Sequence, residues 1–424
     1  MTARYPGPET IHRHILDNGI TVLIYENMAS NTVAIEGVVR AGAIVESPAQ
    51  AGLADFTADL LLRGSAKWTF EAIAEALESV GAAVSFGSSR HTTGFATYSL
   101  VEDLDLALDI AADALCRPTF PADHVERVRG QTITGLQMRA NDTRSMARLA
   151  FYEAAYDGHP YSRSVNGYEE TVAGLGRDDV RDFHARHYGP QDMIIGLSGA
   201  IAADEALRKL AATFGGWRND GQQTIPLAPD VARPSGLVRR QVAMPDKHQV
   251  DLILGLPGPR RAAADYLDAS LMNTILGVFG MMGRIGHNVR EEQGLAYYAS
   301  SRLEGGLGPG PWAASAGVAP DKVEQAIDSI RHEIRRIQEE PVAAEELADS
   351  QAYRTGSLPM SLETNSGLVD TITDMELYGL GLDYLYTYTP TIQAITPERI
   401  QAAARRYLSA DDLVIAVAGP LEAR

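Results

Sequence analysis

The feature that most restricts the fold of this chain is an internal repeat at an offset of roughly 220 residues. Residues 176–188 have the pattern of an amphipathic helix ending in Arg-His-Tyr, and a short apolar strand pattern, 193–199, follows and closes on glycine. Residues 396–407 and 413–419 repeat this order, with Arg-Arg-Tyr at the end of the helix pattern. A repeated order of helix and strand predicts two domains of similar fold.

A change of composition separates the two repeats. Residues 219–236 are rich in proline, glycine and polar residues and show neither helical nor strand periodicity, as is typical of a linker. The sequence therefore predicts an N-terminal domain over 1–218 and a C-terminal domain over 237–424.

Local patterns indicate the fold class. Asn18-Gly19 between two alternating stretches predicts a β-hairpin, and Thr69 and Gly81 are suited to begin and end a helix over 70–80. Strand patterns recur in hairpin-like pairs with helices inserted between them. We expect an α+β fold of two similar, duplicated domains, each a mostly antiparallel β-sheet packed with α-helices.

Composition excludes several classes of function. With 37 basic and 55 acidic residues the net charge is −18, which argues against a nucleic-acid-binding surface. No apolar run reaches the roughly 18 residues of a membrane span, so no membrane association is expected. The first residues contain no apolar signal core, which favours a cytoplasmic location, or a periplasmic one if a signal peptide has been removed. The single cysteine, Cys116, lies in a helical apolar pattern and is expected to be a small core residue rather than a nucleophile.

Residues 52–65 predict a short helix with two different faces. Apolar residues recur at helical spacing, and Gly64 is suited to end the helix. The apolar face consists of Leu53, Phe56 and Leu60. The other face carries Asp55, Ala58 and Asp59.

This segment resembles the active-site helix of the pitrilysin/insulinase zinc metallopeptidases. In that family the helix carries His-x-x-Glu-His, which provides two zinc ligands and the glutamate that activates water. The resemblance places Asp55 and Asp59 at the two histidines and Ala58 at the glutamate. The third ligand of the family, a glutamate on a later helix, corresponds to Gly135. The resemblance therefore implies no catalytic residue and no zinc ligand in this chain.

Two other readings of ionisable residues stay open. The first concerns Asp55 and Asp59, which are either two solvated or salt-bridged carboxylates or part of a site for a hard cation. His184 and His187 are expected to be a surface pair near a helix C-terminus rather than metal ligands, since no third ligand follows them.

A second segment, Arg290-Glu-Glu-Gln-Gly-Leu-Ala-Tyr297, resembles the Arg-(x)6-Tyr motif in the second domain of the same family. The resemblance implies that Arg290 and Tyr297 bind substrate. A guanidinium and a phenol are hydrogen-bond donors suited to a peptide carbonyl and its developing oxyanion. The alternative is an arginine in a structural ion pair and a tyrosine with a buried ring.

Together these resemblances imply the non-catalytic, substrate-binding subunit of a heterodimeric zinc-dependent endopeptidase that acts on peptides. Such a chain is inactive alone, and a homologous partner with an intact motif holds the zinc. Gly277–Gly286 is a loose match to the glycine-rich loop of the non-catalytic subunit of the mitochondrial processing peptidase. The alternative is a structural or assembly protein with the same fold and no role in proteolysis, like the core subunits of respiratory complexes.

Overall fold

The computed structural model of the chain describes residues 5–278 and 283–420. These residues form two compact units, and each unit contains one β-sheet. The first unit comprises Met1–Leu136, Ser164–Pro226 and Leu358–Thr387. The second comprises Gln137–Arg163, Leu227–Ser357 and Tyr388–Arg424.

The two sheets have the same strand order apart from one extra edge strand. The strands are β1 Ile11–Ile15, β2 Thr21–Glu26, β3 Thr32–Val39, β4 Ala83–Ser88, β5 Thr93–Leu100, β6 Ile194–Gly199, β7 Val238–Ala243, β8 Val250–Pro257, β9 Ala296–Leu303, β10 Pro311–Val318 and β11 Val414–Gly419. The first sheet has the order β1-β2-β6-β3-β5-β4 and the second the order β7-β11-β8-β10-β9. In each sheet one pair, β2–β6 or β7–β11, is parallel and the other pairs are antiparallel. The predicted class, duplicated α+β domains with mostly antiparallel sheets, is confirmed.

Helices cover the sheets, and several of them begin and end where the sequence indicates. The Thr69 hydroxyl accepts a hydrogen bond from the backbone N–H of Ala72, and Gly81 ends that helix with a φ of +65°. The helices are α1 Leu53–Leu60, α2 Phe70–Val80, α3 Leu104–Cys116, α4 Ala122–Ala140, α5 Thr143–Ala155, α6 Glu169–Gly174, α7 Arg177–His187, α8 Ala203–Phe214, α9 Tyr266–Asn273, α10 Arg284–Gly286, α11 Val323–Glu339, α12 Ala344–Ser361, α13 Asn365–Leu377, α14 Tyr384–Gln393 and α15 Pro397–Tyr407.

The core of the first unit lies between one face of its sheet and helices α1, α2, α3, α7 and α8. The other face of β6 and β3 is covered by α13, whose Thr373 hydroxyl lies so close to Gly196 that a side chain at residue 196 would clash with it. Strand β6 is therefore buried on both faces, which explains its apolar sequence. Cys116 is partly buried and packs against this core, as expected for a small core residue, and burial raises the pKa of its thiol to about 12.

The two units are not continuous in sequence. Helix α5 lies in sequence between β5 and β6, two strands of the first unit, but belongs to the second unit, where it packs on β11, β8 and β7. Helix α13 belongs to the first unit although it lies in sequence between β10 and β11, two strands of the second. The compact units thus differ from the continuous halves 1–218 and 237–424, because each sheet takes one covering helix from the other half. The division at 219–236 stays a prediction about the repeats, and within it the chain leaves the first unit at Pro226.

No helix in residues 5–278 and 283–420 combines the length and the apolar character that crossing a bilayer requires.

Candidate functional site

Helix α1 is held in place by its buried face and by a carboxylate at its N-terminus. Leu53, Phe56 and Leu60 are at most 3% exposed, as their spacing predicts. The buried Glu46 side chain accepts hydrogen bonds from the backbone N–H groups of Gly52 and Ala54, at 3.1 and 2.7 Å. A negative charge at this position also interacts favourably with the helix dipole. The position of α1 is therefore fixed independently of any metal.

Two carboxylates, Asp55 and Asp59, lie on the other face of α1. The side-chain amide of Asn166 donates to Asp55 Oδ2 at 2.7 Å. Burial raises the pKa of Asp55 to about 6; the Asn166 hydrogen bond opposes this shift, and the charge of Asp59 adds to it. Partial burial also raises the pKa of Asp59, and the Arg63 guanidinium opposes that shift. Asp55 is thus engaged by a neutral amide, whereas Asp59 lies in the field of a cation.

The two remaining positions that correspond to the family's zinc site carry no donor side chain. Ala58 is 2% exposed, and Gly135, on α4, faces open space where a side chain would begin. Helix α4 lies beside α1, since the Arg129 guanidinium is 5.8 Å from the Phe56 ring centroid. A zinc site requires three protein ligands and an open position, and these residues do not fit it. In the part of the chain that the structure describes, no three His, Cys, Asp or Glu side chains converge on a metal position, so a hard cation at the two aspartates also gains no third ligand.

The prediction that His184 and His187 form a surface pair is wrong. His184 Nε2 is 2.8 Å from the carbonyl oxygen of Leu115, and burial lowers the pKa of His184 to about 4. His187 is 8% exposed and packs against the Phe183 ring at 4.8 Å between centroids. Both imidazoles therefore belong to the interior of the first unit, because α7 is buried along more of its circumference than its charged residues suggest.

Restoring the motif residues alone is not expected to create a zinc site. The triple variant Asp55→His, Ala58→Glu and Asp59→His still lacks a ligand at Gly135, and the new carboxylate at residue 58 is buried without a described cation to pair with. We expect a less stable chain with no tightly bound zinc and no peptidase activity. Metal analysis after gel filtration checks this, with the added change Gly135→Glu as the comparison. About one zinc per chain in the triple variant alone would show that the third ligand lies elsewhere.

The Arg290–Tyr297 segment consists of a helix end, a glycine turn and the start of a strand. Arg290 lies in a π-helical turn, His287–Glu292, a conformation that is frequent at functional sites. Gly294 ends this turn with a φ of +60°, and the Leu295 N–H donates to the Val289 carbonyl at 2.9 Å. This geometry explains the spacing of the motif, since the arginine falls in the last turn and the tyrosine in β9.

The structure brings Arg290 and Tyr297 together at the surface of the second unit. The Arg290 guanidinium carbon is 6.0 Å from the Tyr297 ring centroid, within range of a cation–π interaction. Tyr297 is 82% exposed, so the alternative of a buried tyrosine ring is wrong. Arg290 is half-exposed and makes a 3.5 Å ion pair with its neighbour Glu291. Both donors are accessible to a ligand. In the glycine-rich segment Gly277–Gly286, residues 279–282 lie outside the described residues.

The sequence alone did not indicate a role for Tyr298, the residue that follows this pair. Tyr298 donates a hydrogen bond from its phenol to the buried carboxylate of Asp251. The signal in the sequence was the second tyrosine of Tyr297-Tyr298. The missing information was the register, which brings a residue 47 positions away within reach of Tyr298.

Two family models match the chain over most of its length. The model described as Insulinase (Peptidase family M16) matches residues 21–168. The model described as Peptidase M16 inactive domain matches residues 174–353.

Individual relatives agree with these matches. An uncharacterized zinc protease of Streptomyces coelicolor is 26% identical over 422 residues, 98% of this chain and 91% of the relative. The solved structure described as a peptidase M16 inactive domain from Pseudomonas fluorescens superposes with a TM-score of 0.91 at 25% identity and covers 98% of this chain and 99% of that chain. A chain of complex III2 from Candida albicans shares the fold, with a TM-score of 0.80 at 18% identity and coverage of 97% and 96%.

Proposed function

Because this chain belongs to peptidase family M16, the insulinase family, and is a non-catalytic member of it, we propose that it is the substrate-binding subunit of a heterodimeric zinc endopeptidase that acts on peptides. The observation that carries the proposal is a contrast within one chain. Helix α1 and Gly135 carry neither the zinc ligands nor the base of the family motif. Arg290 and Tyr297 match the second motif, and they lie adjacent and exposed.

The chemistry of the pair suits a peptide substrate. A guanidinium and a phenol both donate hydrogen bonds, and a peptide carbonyl accepts them more strongly as negative charge develops on its oxygen. The guanidinium of Arg290 offers several donors in one plane and the phenol of Tyr297 offers one, so the pair can donate to a carbonyl oxygen from two directions. In this proposal the zinc belongs to a homologous partner with an intact His-x-x-Glu-His helix, and this chain holds the substrate carbonyl.

Reconstitution with such a partner tests the proposal. We expect this chain alone and the partner alone to leave a fluorescence-quenched peptide intact, and the mixture to cleave it with about one zinc per heterodimer. Size-exclusion chromatography reports assembly, and metal analysis of each separated chain assigns the zinc. A partner that cleaves equally well without this chain would contradict the substrate-binding role.

Assembly without a gain in activity would favour the alternative of a structural protein. The fold of the Candida albicans complex III2 chain is compatible with that alternative, since that protein is part of a larger complex. The accessible Arg290–Tyr297 pair supports the substrate-binding role, because two adjacent exposed donors can both reach one ligand.

A further inference from the structure

A β-bulge displaces Tyr297 from the regular strand ladder. In the antiparallel pair of β9 and β10, Tyr298 lies opposite Gly317 and Ala296 lies opposite Val318. Tyr297 is therefore the extra residue facing the step between Gly317 and Val318. Bulges of this kind redirect a side chain and are frequent beside active sites. The exposed side chain of Tyr297 thus lies at the irregular step of the strand.

The next residue, Tyr298, anchors the bulge across two strands. Its ring lies against Gly317, where an added Cβ atom would come within 2.5 Å of the Tyr298 Cε1 atom. Gly317 pairs in turn with Asp251 on β8. Because residue 317 has no side chain, the phenol passes over β10 and donates its hydrogen bond to Asp251 Oδ1. A single side chain thus connects the edge strand to the third strand of the sheet.

Further hydrogen bonds fix both ends of this connection. Asp251 is 4% exposed, and the Thr143 hydroxyl donates to its other carboxylate oxygen. Arg144 Nε donates to the Tyr298 phenol oxygen at 3.1 Å, and the Arg144 guanidinium carbon lies 4.0 Å from the ring centroid. Burial is the main cause that raises the pKa of Tyr298, so its phenol remains a donor across the physiological range. The anchor is a buried, cross-connected polar network, which gives a side chain one well-defined position.

We propose that Tyr298, through its hydrogen bond to Asp251, is the positioning residue that holds the bulge and thereby sets Tyr297 beside Arg290. Among the residues that the structure describes, strand β9 is at the edge of its sheet and pairs with β10 alone, so the bulged step has no second strand there to fix its register. The hydrogen bond to Asp251 fixes the register that a second neighbouring strand would otherwise fix. The expected effect on cleavage rests on the proposed function. The effect on the position of Tyr297 concerns this chain alone.

Hydrogen exchange of the isolated chain tests the structural part. Tyr298→Phe removes only the hydroxyl and keeps the ring against Gly317. We expect amides of residues 296–298 to exchange about tenfold faster, the loss that one hydrogen bond to a charged group predicts. The matched control is Tyr407→Phe, since the Tyr407 phenol also donates to a carboxylate, Asp265, at 2.6 Å but lies on α15. Unchanged exchange of 296–298 in Tyr298→Phe would overturn the inference.

A double-mutant cycle in the reconstituted heterodimer tests the consequence. Tyr298→Phe is expected to lower kcat by about tenfold with thermal stability close to that of the Tyr407→Phe control, and to have no further effect in a Tyr297→Phe background. Such non-additivity identifies positioning, because a merely structural loss would lower activity equally in both backgrounds. If Tyr297→Phe alone leaves cleavage unchanged, the proposed function fails. If Tyr297→Phe impairs cleavage and Tyr298→Phe does not, only the positioning role fails.

Discussion

In the reconstituted heterodimer, Arg290→Ala and Tyr297→Phe are each expected to lower kcat by about 10²–10³-fold while the subunits remain assembled. Removing one donor aimed at a developing oxyanion typically has an effect of this size. Neither change removes much packing, since Tyr297 is 82% exposed and Arg290 makes only a 3.5 Å ion pair with a neighbouring residue among its described polar contacts. Exposed pairs of this kind contribute about 1 kcal/mol or less to stability. Steady-state kinetics, a thermal melt and gel filtration on the same samples measure the effect.

The control for Arg290→Ala uses another arginine of the second unit. Arg240, on the opposite edge strand β7, is exposed and donates only to a neighbouring backbone carbonyl among the contacts described, so Arg240→Ala changes the charge equally without touching the pair. Turnover by this variant is expected to equal that of the unmodified heterodimer. Wild-type rates in both Arg290→Ala and Tyr297→Phe, with intact assembly, would refute the substrate-binding role and support the assembly alternative.

Much of the local structure follows from short patterns in the sequence. Asn18-Gly19 does connect the antiparallel pair β1–β2, and Thr69 and Gly81 bound a helix as their chemistry predicts. The stripe Leu53, Phe56 and Leu60 is buried along α1. These features depend on residues within a few positions of one another, so one sequence is sufficient to predict them.

Features that depend on contacts between distant segments could not be predicted from local sequence patterns. The exchange of α5 and α13 between the two halves follows from which helix covers which sheet, and no local pattern records it. The burial of His184 depends on the Leu115 carbonyl, 69 residues away, and a helix with many charged residues gives no indication of it. The Tyr298–Asp251 bond likewise depends on the register across Gly317.

Helix α13 also creates an ionisable contact that the sequence did not indicate. Glu36 lies on β3 opposite Gly196, on the face of the sheet that α13 covers. Burial raises the pKa of Glu36 to about 8, and the charges of Asp370 and Asp374 and a hydrogen bond with Asp370 add to the shift. Glu36 therefore holds a proton at neutral pH and shares it with Asp370. We therefore expect α13 to pack less stably on this face of the sheet once that proton is lost.

The pH dependence of stability follows from the sign of this shift. Because the pKa of Glu36 in the folded chain lies above the ordinary value of 4.5, its contribution to the free energy of unfolding is complete below about pH 4.5 and is lost as the pH rises through about 8. Glu36→Gln keeps a donor toward Asp370 and removes the charge. We expect the variant to exceed the unmodified chain in stability at pH 9 by on the order of 3 kcal/mol, and to match it near pH 5. Denaturant unfolding at a series of pH values measures this, with Glu363→Gln, an exposed glutamate of the same unit, as the control. Parallel pH profiles for Glu36→Gln and the unmodified chain would show that Glu36 is ionised in the folded state and that α13 docks without its proton.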